Sequence, residues 1–247
     1  MSNLQTLKFY CTPAHRCSYL PDREAVTLFL DPKTEVSAEV YASLTAVGFR
    51  RSGDFVYRPH CGTCHACIPV RVPARQFEPN RTQRRCIERN SDLLVTSAPP
   101  RYTPEYYALY EKYINARHQD GDMFPPSRNQ FRSFLLCNWG NSRFYEFRAS
   151  GRLVCLAVVD HVDNGMSAVY TFYDPDETPR SLGRYAILWQ LAECGRRNQS
   201  FLYLGYWIRQ CRKMNYKREY QPLEYFDGQQ WLRPDPDGYR PASTSIS

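Results

Sequence analysis

The sequence contains no apolar run of membrane-span length and no hydrophobic leader at its start, which points to a soluble, cytoplasmic protein without a membrane partner. Histidine is scarce, at five residues, and the chain order offers no Ser-His-Asp or Cys-His set; His118 and His161 have no evident partners. Acidic residues are outnumbered, 25 against 32 lysines and arginines, for a formal net charge of +7, so an anionic partner is favoured. Internal repeats are absent, and the solenoid architectures they signal are excluded.

What is present describes a globular chain. At 247 residues, 43% hydrophobic and 15% aromatic, it can bury one large or two small cores. The positive charge is concentrated in two blocks. Gly48–Asn90 holds nine arginines against three acids, and Gly195–Tyr220 holds seven cations against Glu219 alone. Aromatic residues interleave with the second block, a pattern suited to gripping phosphates and stacking an unpaired nucleic-acid end.

Residues 37–48 read as a helix capped by Ser37, and Phe49–Arg58 as a hairpin turning at Ser52–Asp54. Ile68–Ala74 reads as a strand whose two prolines suggest a sheet edge. Thr82–Asn90 is a basic helical stretch, and Pro99–Pro100 marks a candidate boundary. Tyr102–His118 is a helix begun by Thr103 and Pro104, and Ser127 with Gln130 forms a capping box opening another. Three strands then alternate with turns, at Arg143–Ala149, Gly151–His161 and Ser167–Tyr173, followed by a helix from Ser181 and a strand at Phe201–Trp207. This order is that of a GCN5-related N-acyltransferase-like fold. The expected class is α/β (α+β), with a smaller cysteine-containing α+β domain at residues 1–100, a catalytic domain at 101–233 and a disordered tail at 234–247.

The segment Tyr170–Trp189 is the sharpest local signal. Asp174-Pro175 ends a strand, Ser181 is placed to cap a helix, and Arg180, Gly183 and Ala186 form an R-x-x-G-x-x-A run across its start. Free N–H groups and the helix dipole there favour phosphate or carboxylate, although an ordinary capped helix has the same look. Asp174, at the strand end, is a candidate base. Cys61, Cys64 and Cys67 are spaced C-x-x-C-x-x-C; a tetrahedral ion needs a fourth ligand, which Cys17, Cys11, Cys86, His60 or His65 could supply. Packed thiols are the alternative, and spacing does not separate zinc from an iron–sulfur cluster.

Gly48–Gly53, Tyr57–Arg71, Gln83–Arg85, Tyr170–Tyr185 and Tyr203–Ile208 together resemble the arginyl-tRNA–protein transferase family, most closely its bacterial branch. The resemblance runs from about Leu7 to Trp231. It implies transfer of an aminoacyl group from charged tRNA to a protein N-terminus, creating an N-degron. In the bacterial branch the group is leucine and the acceptor begins with Asp or Glu. The partners are then leucyl-tRNA and such proteins, and the transfer requires no cofactor. Cys17, Cys64 and Cys67 lie where relatives place metal or cluster cysteines, so Cys17, Cys61, Cys64 and Cys67 are the set for a structural zinc or cluster. Asp174, Tyr170 and Gly183 are the catalytic candidates. Arg50, Arg51, Arg180 and Arg209 could hold the acceptor carboxylate, with Ser181 at the helix start. Tyr170, Phe172 and Trp207 are the bet for a leucine pocket, and Arg81, Arg84, Arg85, Arg89, Lys213 and Lys217 for the tRNA backbone. An acyl-CoA-dependent acetyltransferase, a non-catalytic RNA-binding module and an arginyl transferase are the rival readings.

Overall fold

A computed structural model describes residues 6–233; the expected tail at 234–247 lies outside the described residues. Fourteen strands and five helices follow in the order β1 (Phe9–Cys11), β2 (His15–Arg16), β3 (Glu24–Ala25), β4 (Thr27–Leu30), α1 (Ala38–Ala46), β5 (Arg50–Ser52), β6 (Phe55–Pro59), β7 (Ile68–Pro73), α2 (Arg81–Arg89), β8 (Leu94–Ala98), α3 (Pro104–Arg117), α4 (Arg128–Leu135), β9 (Asn141–Ala149), β10 (Arg152–Val162), β11 (Gly165–Tyr173), α5 (Leu182–Arg196), β12 (Phe201–Trp207), β13 (Glu224–Phe226) and β14 (Trp231–Leu232).

Local chemistry accounts for most helix starts. Ser37 accepts the Val40 N–H, Asn80 and Gln83 close a reciprocal capping box, and Thr103 caps a helix whose first residue is Pro104. The expected box at α4 is only half made. Ser127 caps Gln130, but the Gln130 carboxamide oxygen accepts the buried Tyr110 hydroxyl at 3.0 Å instead of returning to the cap. A buried phenol needs that acceptor more than a solvated N-terminus needs the second bond.

An eight-stranded sheet in the order β14-β13-β7-β12-β11-β10-β9-β8 forms the framework, beside a four-stranded sheet β1-β4-β6-β5 and a small β2-β3 pair. The expected antiparallel meander is β9, β10 and β11, and β12 lies parallel to β11. β10 is buried along most of its length because both faces are covered. Helices α2 and α5 pack on one face in a core containing Leu182, Ala186, Leu188 and Val159; α3 and α4 pack on the other around Tyr110, Phe131 and Phe172.

One expectation needs correction. β7 is not an edge strand: it lies between β13 and β12. Its prolines are accommodated because β13 pairs only with Val70 and Arg71, and neither proline is asked for an N–H there. Strand pairing also crosses residue 100, since β7 and β8 from the first hundred residues complete the large sheet.

Candidate functional site

The parallel pairing of β11 and β12 lasts three residues, from Gly165–Ser167 against Phe201–Tyr203. Beyond it both strands carry a register shift. In β11 the β10 partners jump from Ala168 to Tyr170, and in β12 the β7 partners are Tyr203 and then Gly205. Bulges bend and twist strands, and here they accompany the parting of the two. The result is a wedge between the C-terminal halves of β11 and β12, on the sheet's interior.

Arg50, from β5, plugs this wedge. It donates to Ser167 Oγ at 2.7 Å and to the Ala168 carbonyl. Gly205, at φ +76°, lets it through: a Cβ there would lie 3.2 Å from Arg50 Nε. No carboxylate pairs with Arg50 among the described residues. Two of the five guanidinium N–H groups are used, which leaves a fork for a planar anion. Aromatic rings wall the site. Tyr170 packs against Phe134 at 5.1 Å and Tyr113 at 6.4 Å, Tyr113 against Tyr173 at 4.8 Å, and Tyr216 is 43% exposed. The Tyr170 hydroxyl is buried without a protein partner, so a ligand or water must satisfy it.

The adjoining turn between β11 and α5 is a web of ion pairs, and several expected roles fail there. Asp174 is buried, accepts from Lys112 at 2.6 Å and Arg152 at 2.8 Å, and also receives the Asp176 N–H. Burial pushes its pKa up, but the Lys112 bond, the Asp176 N–H and the two cations outweigh it and hold the carboxyl below its ordinary value. Such a group is a poor base. Arg180 is bound bidentately to Asp92 at 2.8 Å and to Glu177 at 3.0 Å, and is not free for a substrate carboxylate. Ser181 occupies the cap position in a left-handed conformation, φ 53°, and makes no side-chain cap bond, because a 3-10 turn at Thr178–Arg180 feeds directly into the helix. Gly183 has a packing reason: a Cβ there would meet the Tyr173 ring at 3.0 Å. The Arg184 and Tyr185 N–H groups both donate to the Ser181 carbonyl, while Leu182 and Gly183 find no backbone acceptor. Those two amides keep the expected anion-facing character.

Arg51, the neighbour of Arg50, is 3% exposed. Its guanidinium grips Asp160 at 2.7 and 2.8 Å and Ser142 at 3.0 Å, and Tyr41 donates to the same carboxylate at 2.8 Å. It is a core strut, not a substrate ligand. The expected leucine pocket does not assemble either. Phe172 is fully buried against Tyr110 and Phe131, whereas Trp207 sits in the opposite core against Tyr225. Tyr170 alone of the three borders the wedge. Arg209 is exposed just past the end of β12.

The tRNA candidates divide. Arg81, Arg84, Arg85 and Arg89 all lie on the exposed face of α2, whose inner face presents Gln83 and Cys86. That helix abuts the start of α5: Asn90 donates to the Arg180 carbonyl at 2.8 Å, Arg89 to Pro179, and the Cys86 thiol points at the same turn. The arginine stripe and the open α5 amides thus form one positive surface. Lys213 is exposed but paired with Asp120 at 2.7 Å. Lys217 is 4% exposed and cannot reach a nucleic-acid backbone.

Cys17, Cys61, Cys64 and Cys67 line one cavity of about 170 Å³ together with Tyr57 and Tyr206. Among the described residues no group of three or more His, Cys, Asp or Glu is arranged to hold a metal ion. Burial, and then the crowding of the neighbouring thiols, pushes Cys67 up to about 12, so it stays protonated. The four line one space as expected, but among the described residues they are not arranged around a metal ion. Cys86 belongs to the α2–α5 contact and is no fourth ligand.

Sequence reasoning missed Tyr113, Tyr173 and Tyr216 as walls of the wedge, and the core position of Lys217. No spacing signal carries them, because they come from three separate elements. No helix of the described residues is long and apolar enough to cross a membrane.

Comparison with known proteins bears on the same surfaces. Residues 15–85 match the family model "Arginine-tRNA-protein transferase, N terminus", and residues 105–227 match "Arginine-tRNA-protein transferase, C terminus". The chain is 58% identical over 232 residues to the aspartate/glutamate leucyltransferase of Pseudomonas fluorescens strain SBW25, covering 94% of this chain and 99% of the relative. It is 56% identical over the same length and shares to the enzyme of that name from Pseudomonas putida strain F1. Among solved structures, L-PGS from Bacillus licheniformis matches 58% of this chain and 47% of that one, with a TM-score of 0.43 and 9% identity.

Proposed function

The chain belongs to the arginine-tRNA-protein transferase family and is a leucyltransferase acting on proteins that begin with Asp or Glu, and from that premise we propose that the wedge between β11 and β12 is its reaction centre. The observation that carries this reading is Arg50, a half-buried cation in the wedge without a carboxylate partner among the described residues. Its open fork receives the side-chain carboxylate of the acceptor's first residue, and this fixes the adjacent α-amino group in the wedge.

The leucyl ester is already activated, so the site's task is to bring the amine to the ester carbonyl. The aromatic walls Tyr113, Tyr170 and Tyr173 offer the apolar surface for leucine, and the unpartnered Tyr170 hydroxyl offers a donor. The open amides of Leu182 and Gly183 face the terminal phosphate of the tRNA, while the α2 arginines grip its backbone. The meander, the helix and the parallel β12 support an N-acyltransferase-like architecture in which a wedge of this kind holds the donor. The two family models fall on either side of Pro99–Pro100, which supports a division of the chain near residue 100 even though the sheet spans it. The transfer itself needs no cofactor, and the reaction places the protein in the cytoplasm with its charged tRNA.

A transfer assay tests the assignment, with leucyl- and arginyl-tRNA as donors and peptides beginning with Asp, Glu, Arg or Ala as acceptors. Leucine should pass to the Asp and Glu peptides. Arg50→Ala should lower kcat/KM for both by about 10- to 150-fold, mainly through KM, as loss of one charge-assisted pairing worth about 1.5–3 kcal/mol. An unchanged acceptor KM would move the carboxylate site elsewhere.

A further inference from the structure

Lys217 lies in a basic stretch of sequence, yet its side chain is buried in the core beside β12, one residue after the exposed Tyr216. Its Nζ donates to the carbonyl of Tyr206. The pairing of β12 with β11 ends at Tyr203, so that carbonyl lies beyond the ladder. An ammonium carries three donors, and Tyr206 is the acceptor found for Lys217 among the described residues; no carboxylate pairs with it there. The groups facing it are Arg50 from β5, Cys67 from the loop before β7, Cys211 after β12, and the Tyr216 ring 5.9 Å from Nζ. No carboxylate is among them. A charged Lys217 would be left short of acceptors beside a second cation, whereas a neutral amine asks for less and presents a lone pair. Burial first, and then the Arg50 charge, bring its pKa down to about 7.

Arg50 and Lys217 reach consecutive residues of β12: the guanidinium lies against Gly205 and the amine against Tyr206. An N-terminal Asp or Glu carries its α-ammonium a few bonds from its side-chain carboxylate. A carboxylate on Arg50 therefore delivers the ammonium to the neighbourhood of Lys217. We propose that Lys217 is the general base that takes a proton from the acceptor's α-ammonium while Arg50 holds the acceptor's side-chain carboxylate. The proposal rests on the wedge being the reaction centre. The proton passes from the ammonium to the Lys217 amine, and the neutral α-amine attacks the leucyl ester carbonyl. The new N–C bond forms, the ester C–O bond breaks, a second proton leaves the nitrogen for the departing ribose oxygen, and Lys217 returns its proton to solvent. An acceptor without the carboxylate neither binds Arg50 nor brings its amine to the base, so the two residues would act on specificity together.

The test is the pH dependence of kcat/KM between pH 6 and 9 with leucyl-tRNA and an Asp-initiated peptide. The wild type should rise through a limb near 7, for Lys217, and hold a plateau to pH 9, because an acceptor amine already neutral above its ordinary range of about 7.7–8.0 needs no base. Lys217→Met should instead follow the acceptor's own ionisation, with a loss of up to about 10-fold at pH 7 that closes toward pH 9. Lys217→Arg, which stays charged and has no lone pair to accept a proton, should be as impaired at pH 7. A limb near 7 retained in Lys217→Met, a loss equal at every pH, or full activity in Lys217→Arg would overturn the proposal. An Nζ NMR titration of the wild-type protein needs no folded variant: Lys217 should lose its proton near pH 7, and an ammonium persisting to pH 9 would refute the base. Arg50→Ala separates the two readings, because its acceptor KM tests the wedge irrespective of the shape of the pH profile.

Discussion

The turn between β11 and α5 and the wedge beside it are built from the same residue types and treat charge in opposite ways. In the turn, Asp174, Glu177 and Asp92 are matched by Lys112, Arg152 and Arg180, with N···O distances of 2.8 Å or less for Lys112–Asp174, Arg152–Asp174 and Arg180–Asp92. In the wedge, Arg50 and Lys217 have no carboxylate partner among the described residues. A saturated network holds a shape, whereas an unsatisfied cation awaits an anion. The turn fixes Tyr173 and the first amides of α5; the wedge is where a substrate carboxylate is missing. Arg50 and Arg51 show the contrast within one strand. Alternation sends one side chain into the wedge and the other into the core, where Asp160 neutralises it.

The largest effect should come from breaking the core member of that pair. Arg51→Met leaves Asp160 buried beside Tyr41 with no cation, and unfolding in urea should show a loss of about 3–5 kcal/mol. Replacing both partners, with Arg51→Met and Asp160→Leu, should recover most of it, because no stranded charge remains. Arg50→Ala should leave the unfolding midpoint nearly unchanged while impairing the acceptor. If the two arginines instead cost similar stability and similar activity, the division between strut and site would be lost.

This division was only half legible in the sequence. The capping residues Ser37, Thr103 and Ser127, the 52–54 hairpin and the three-strand meander announce themselves through turn chemistry and periodicity, since these signals act within a few residues. Arg50 and Arg51 are adjacent and chemically identical, and only the tertiary partner tells them apart. Lys217 looks like its exposed neighbours until the Tyr206 carbonyl, left open where β11 parts from β12, is placed against it. Asp174 drew notice as a strand-end acid because its partners Lys112 and Arg152 are supplied by α3 and β10. The prolines of β7 read as an edge because sequence does not show that β13 would avoid them.

A smaller effect is expected where the two regions meet the solvent. The α2 arginines border the saturated turn, yet Arg84 and Arg89 donate only to carbonyls of Pro79 and Pro179 and keep their charge uncompensated. Arg84→Ala with Arg85→Ala should weaken leucyl-tRNA binding about 10-fold at moderate salt and reduce the salt slope by about 1.4–1.8, the value for two lost phosphate contacts. With saturating tRNA, kcat should hold. An unchanged slope would detach α2 from the nucleic-acid surface and leave its arginines as a solvated face.

The smallest effect is the one that most directly opposes turn and wedge. Asp174→Asn removes a charge shared by Lys112 and Arg152, whose side chains are 44% and 54% exposed, so solvent screening limits the loss to about 0.5–1 kcal/mol. The sign with pH follows from the lowered carboxyl pKa: the stabilisation is complete above the unfolded value near 3.9 and disappears as pH falls through the folded one. Wild type and Asp174→Asn should therefore differ at pH 7 and converge in acid. Over pH 6–9 Asp174 stays ionised, so its replacement should leave the limb near 7 of the kcat/KM profile in place, with activity within a few-fold of wild type. A variant that keeps its stability but loses transfer altogether would make the turn the reaction centre and reduce Arg50 and Lys217 to its supports.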